Sequence, residues 1–137
     1  MDKKKSAETE SPIIAENFAN WALYVATALP KNSNEIIARM TYDAVGLMYA
    51  ARREDYILSV MNSVIDRGSC RAVGHKTQLG SFDSCLVNGT AIHGEDFDDT
   101  YEGTPVHLAA SLGPPMIALS SKLQIDRDNW VKSISVA

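Results

Sequence analysis

Between His93 and His107 the chain carries Glu95, Asp96, Asp98, Asp99 and Glu102, and no Lys or Arg occurs from His93 until Lys122. Like charges packed this closely repel one another in a folded state. The fold must therefore give them hydrogen-bond donors, a cation or proton-sharing partners. Apolar, small-residue segments lie on both sides of the run, Asn88 to Ile92 before it and Leu108 to Leu119 after it, so it is not a solvated acidic tail. The pattern predicts an acidic loop held between two packed helices. That loop is the candidate site.

Residues 1–11 read as a disordered leader of Lys, Glu, Ser and Thr. Pro12 suits a first helical turn, and Ile14, Phe18, Trp21, Leu23 and Val25 then form a broad apolar face that ends at Pro30. Asn32 and Glu35 have capping-box spacing ahead of Ile36, Ile37, Met40, Ala44, Leu47, Met48 and Ala51, which recur at helical intervals. A third helix carries Tyr56, Ile57, Val60, Met61 and Val64 and stops at Asp66-Arg67-Gly68-Ser69. Cys70 to Leu79 reads as irregular, with at most a short extended piece. Ser81 is expected to cap a helix reaching His93, with Phe82, Cys85, Leu86 and Ala91 inward. Gly89 within it predicts close contact with another helix. After the loop, a helix from about Leu108 to Lys122 is rich in small residues, and Pro114-Pro115 is expected to kink or restart it. Asp126 caps a last helix with Trp130, Val131 and Ile134 inward. The fold class is all-α, a helical bundle, with no convincing sheet.

A chain of 137 residues fits one domain, able to bury roughly 68% of its unfolded surface. A net charge of -4 argues against nucleic acid as a partner, because phosphate binding needs a basic surface. No apolar run approaches the roughly 20 residues of a membrane span, and the polar start lacks a signal-peptide core. Cys70 and Cys85 read as free thiols of a reducing compartment, which makes the cytoplasm the expected location.

Within the loop, Asp96 to Tyr101 superficially resembles a calcium loop. Tyr101 replaces the obligatory Gly, however, and His107 stands where the closing Glu belongs. Asp98-Asp99-Thr100-Tyr101-Glu102 resembles a magnesium-diphosphate motif, but Gly103 and Pro105 interrupt the helix that would align its carboxylates. No metal and no cofactor is expected. Acid–base work fits better, because an imidazole beside a carboxylate exchanges protons near neutrality. Asp96, Thr100 and His107 form the favoured trio: His107 donates or accepts a proton, and Thr100 offers a hydroxyl to a substrate oxygen. Asp98 or Asp99 is expected to turn back onto backbone amides. His93 reads first as a hydrogen-bonded packing residue, and His75 as solvent-exposed.

NGTAIHGEDFDDT, then His107, then the small-residue helix with Pro114, resembles the N-terminal signature of the MmgE/PrpD family. That family includes 2-methylcitrate dehydratase, cis-aconitate decarboxylase and iminodisuccinate epimerase. The similarity extends more weakly over Ile13 to Ala137, through the Leu29-Pro30 break and Tyr42-Asp43-Ala44-Val45-Gly46. The resemblance implies a large helical domain and a smaller lid domain, commonly in a homodimer, handling a small polycarboxylate without a required metal. It places Asp96, Thr100 and His107 at active-site positions, and His93 is the candidate substrate-binding residue beside them. Two departures stand out: the Thr100–His107 loop is one residue longer than in the decarboxylase pattern, and Leu108 replaces a frequent Pro.

Family enzymes are much longer, and their further catalytic Lys, His and Tyr come from later segments. Residues 12–137 are therefore expected to be an incomplete N-terminal helical domain, a fragment inactive alone. The alternatives are a non-catalytic helical interaction module and, from the acidic run, a metal-diphosphate enzyme.

Overall fold

The computed structural model describes residues 13–137; the expected leader and Pro12 lie outside the described residues. The described residues are all-α apart from one minimal sheet. Its elements are α1 (Ile14–Thr27), α2 (Ser33–Ala51), α3 (Asp55–Ser63), β1 (Cys70–Arg71), β2 (Gln78–Leu79), α4 (Ser81–His93), α5 (Leu108–Leu123) and α6 (Arg127–Val136). Helices α2, α4 and α5 pack together at the centre, α3 lies on α4, and α6 crosses α2 and α5 with α1 against it. The core joins Ala44, Met48 and Ala51 of α2, Ile57 of α3, Val87, Ala91 and Ile92 of α4, Ala109 of α5, and Leu79 of β2. Each large side chain sealed there, such as Met48, Ile57, Leu79 or Ile92, contributes about 1.5–3 kcal/mol by leaving water. No helix of the described residues is long and apolar enough to cross a membrane.

Several local expectations need correction. Asn32 makes no capping hydrogen bond through its side chain, and Glu35 instead pairs with Arg39 at 2.8 Å, one turn along the exposed face. Gly80, not Ser81, is the cap residue of α4. Pro114 and Pro115 lie inside α5 and do not restart it. Cys70 pairs with Leu79 and Arg71 with Gln78, so a two-strand antiparallel ladder forms where the spacing suggested none. The expected cap at Asp126 does form, its Oδ1 accepting the Asn129 N–H at 2.9 Å. Cys70 and Cys85 are both free, and burial, followed by the proximity of Cys70, pushes the Cys85 thiol up from its ordinary pKa.

The largest correction concerns α4. Its buried residues are Asp83, Ser84, Val87, Asn88, Ala91 and Ile92, whereas Phe82 and Leu86 are 76% and 44% exposed. Backbone hydrogen bonding chooses this face. The irregular segment before α4 has amides and carbonyls that no helix satisfies, and buried backbone groups need partners. Asp83 Oδ2 accepts the N–H groups of Ile65 and Asp66 at 3.1 and 2.8 Å. Ser84 donates to the Arg71 carbonyl at 2.9 Å. Asn88 accepts from Val73 at 2.9 Å and donates to Arg71 at 3.1 Å. The polar side chains of α4 thus face inward because they hold the preceding segment in place.

Gly89 meets the expectation of close helix contact. A Cβ there would come 3.3 Å from the Ala110 carbonyl oxygen and 3.6 Å from Pro114 of α5. Pro114 has no N–H to give Ala110 four residues back, and the bare glycine lets α4 close over that turn. This close packing of α4 and α5 positions the two ends of the acidic loop.

Candidate functional site

The loop leaves α4 at His93 and enters α5 at Leu108. Its first turn is tight: Gly94 N–H bonds to Thr90 O at 2.9 Å and Asp96 N–H to His93 O at 3.0 Å. Asp96 adopts a left-handed backbone, φ 57°, a conformation Asp tolerates better than most residues. A Cβ on Gly94 would lie 2.5 to 2.6 Å from the ring of Tyr56. The bare glycine therefore lets the ring approach, and Tyr56 donates from its hydroxyl to Glu95 at 3.0 Å. Desolvation first, then the hydrogen bond and negative charge of Glu95 and the charge of Glu54, push the Tyr56 phenol up to about 12. Farther along, Tyr101 N–H bonds to Val106 O at 2.9 Å and closes the tip.

The centre of the site is Asp98, whose side chain is fully buried. Its Oδ1 lies 3.1 Å from Nδ1 of His93 and 3.1 Å from Nδ1 of His107. The two rings meet edge to face, 4.6 Å between centroids at 71°. The contacts differ in kind. His93 is within hydrogen-bonding geometry of Asp98, whereas the buried His107 Nδ1 is close but off the direction of a hydrogen bond and has no other partner. A carboxylate only accepts, so Nδ1 of His93 carries the hydrogen, and in the neutral ring Nε2 holds the lone pair. Among the described residues, no Lys or Arg forms an ion pair with Asp98. A buried carboxylate without a partner is costly, so the two imidazoles are what make this one tolerable.

The neighbouring Asp99 does different work. Its Oδ1 accepts the N–H of Ala109 at 2.8 Å, tying the loop to the first turn of α5. Donor atoms of His93, Asp96, Asp98 and His107 all lie within 4.8 Å of one another. Of the trio favoured from the sequence, the fold thus brings Asp96 and His107 together, while Thr100 is exposed and makes no hydrogen bond to the cluster. Asp98 is the residue the sequence left undecided, because two adjacent aspartates offer no local sign of which one caps and which one is buried. His93 joins the cluster with a side chain 54% exposed, and His75 is half-buried rather than solvent-exposed. The cluster opens onto a depression lined by His93, Pro105, Val106, His107, Ala110 and Ser111. A more enclosed cleft between α2, α5 and α6, lined by residues such as Met40, Leu112 and Trp130, holds no titratable group that would orient a polar ligand.

The family described as MmgE/PrpD N-terminal domain matches residues 16–137. A cis-aconitate decarboxylase of Aspergillus terreus is 25% identical over 128 residues, covering 90% of this chain and 26% of that enzyme. A cis-aconitate decarboxylase of Aspergillus terreus strain NIH 2624 / FGSC A1156 is 28% identical over 127 residues, covering 88% of this chain and 26% of the enzyme. The chain spans about a quarter of the length of these relatives. No solved structure matches it. With the family match running from the first helix through the acidic loop to the last residue, the chain belongs to the MmgE/PrpD family.

Proposed function

We propose that this chain supplies the helical-domain part of a lyase- or isomerase-type site. That site acts on a small polycarboxylate by dehydration, decarboxylation or epimerisation next to a carboxylate. The observation that carries the reading is the buried Asp98 held 3.1 Å from each of two imidazole nitrogens at the rim of an open depression. A carboxylate that fixes Nδ1 of His93 leaves Nε2 free to take or return a proton. His107 is the proton carrier on the α5 side, Asp96 shapes the rim, and the Thr100 hydroxyl meets a substrate oxygen. His93 contributes to substrate binding. The similarity to cis-aconitate decarboxylases of Aspergillus terreus supports the same substrate class.

Proton transfer beside a carboxylate builds negative charge, which positioned cationic or hydrogen-bonding groups must stabilise. Among the described residues the cluster has two carboxylates and two imidazoles, and no Lys or Arg forms an ion pair with it. The isolated chain is therefore expected to turn over neither cis-aconitate nor 2-methylcitrate. In a chimera with the remainder of the Aspergillus decarboxylase, activity is expected, and His107→Gln should lower kcat by about 10²–10⁴-fold. Robust turnover by the isolated monomeric chain would overturn the need for further segments. An active chimera indifferent to His107→Gln would remove the acid–base role.

A second reading, a non-catalytic module that binds another chain, draws on one observation. Helix α1 buries none of its residues, with Ile14, Phe18, Trp21, Leu23 and Tyr24 between 49% and 86% exposed. Such a surface favours association, and sizing of the isolated chain tests it alongside the activity assay.

A further inference from the structure

We propose that His93, Asp96, Asp98 and His107 form a binding site for a first-row transition-metal dication of the zinc type. The inference is independent of the polycarboxylate reading, although it concerns the same residues. Bonds of about 2.0–2.1 Å at tetrahedral angles place neighbouring donor atoms about 3.3 Å apart. Nδ1 of His93 and Nδ1 of His107 each stand 3.1 Å from Asp98 Oδ1, so two of the donor pairs already have nearly that spacing. The fourth, Asp96, lies on the exposed side, and the whole set falls within 4.8 Å. A small movement of that side chain completes a four-coordinate shell.

Two further features fit a cation. The buried Nδ1 of His107 has no hydrogen-bond partner, so its ligation breaks no hydrogen bond. Among the described residues no Lys or Arg pairs with the two carboxylates that meet here, and a dication would offset their charge. The donor chemistry selects the metal. Two imidazoles with two carboxylates suit zinc, cobalt or nickel, whereas magnesium and calcium require shells of oxygen. Ligation through Nδ1 requires His93 to give up its hydrogen bond to Asp98 and carry its hydrogen on Nε2 instead, which removes the Nε2 lone pair that acid–base work needs, so the site would be held off while loaded.

The test uses the untagged chain, freed of metal with a chelator and titrated without any carboxylic acid present. Zinc is followed by calorimetry, cobalt by its visible ligand-field bands, and magnesium in parallel. One equivalent of zinc is expected to bind, cobalt to give tetrahedral-type bands, and magnesium to give no saturable signal. His93→Gln and Asp98→Asn should each weaken zinc binding by at least about tenfold, and His75→Ala and Cys85→Ser should leave it unchanged. If the buried Asp98→Asn variant does not fold, the half-exposed His93→Gln decides the matter. Zinc binding that survives His93→Gln, or that disappears with His75→Ala or Cys85→Ser, would overturn the site. So would a dissociation constant weaker than about 1 mM, or magnesium binding as well as zinc. Failure here leaves the acid-binding reading intact, since that reading is tested by turnover in the chimera, which is run with a chelator present.

Discussion

Asp99 Oδ1 accepts the backbone N–H of Ala109 at 2.8 Å, although the two residues are separated by the whole tip of the acidic loop. Ala109 lies in the first turn of α5, where amides have no intrahelical partner. Asp99 therefore acts as a cap supplied from outside the helix, while adjacent Asp98 goes to the imidazoles. Asp99→Ala should lower stability by about 1 kcal/mol, read as a lower urea midpoint with unchanged slope. Asp99→Asn, which keeps an acceptor, should recover most of the loss. Equal losses for both variants would show that charge, and not the cap, is what matters.

Asn88 is almost completely buried and bridges Val73 N–H and Arg71 O. Arg71 O keeps the Ser84 hydroxyl as a partner in its absence, but Val73 N–H does not have a substitute. Asn88→Ala should therefore cost about 1–3 kcal/mol for the unsatisfied amide, plus the cavity left behind. Hydrogen exchange should report the change first at Val73. An unaltered exchange rate there would contradict the bridge.

Tyr56 and Gly94 give a coupled prediction. Gly94 has ordinary helical φ of −61°, so Ala is allowed there by the backbone and is resisted only by the Tyr56 ring. Gly94→Ala should destabilise by about 1–3 kcal/mol through overpacking, and Gly94→Ala combined with Tyr56→Ala should be less than additive. The phenol itself should titrate near about 12 rather than 10.0, seen as a late step in the ultraviolet titration. Glu95→Gln should bring that step back toward the ordinary value. The sign for stability follows from a folded pKa raised above the unfolded one. The contribution is fully present below about pH 10 and is lost as pH rises through about 12.

Apolar spacing at three and four residues placed α2, α3 and α6, because burying a stripe is a local property of a helix. The acidic loop between two packed helices was legible for the same reason, and the NGTAIHGEDFDDT pattern carried the family. What tertiary structure decided was direction. The face of α4 turned toward Asp83, Ser84 and Asn88 because amides at Ile65, Asp66 and Val73 needed acceptors. Those amides are 15 to 18 residues away, and no periodicity within α4 encodes them. The division of labour between Asp98 and Asp99 was equally hidden. It depends on where α5 returns beside α4, at the turn where Gly89 admits Ala110 and Pro114. That packing brings His107 back to His93 and leaves a single carboxylate between them. Helices follow from local periodicity; a site assembled across a loop follows from how two helices pack.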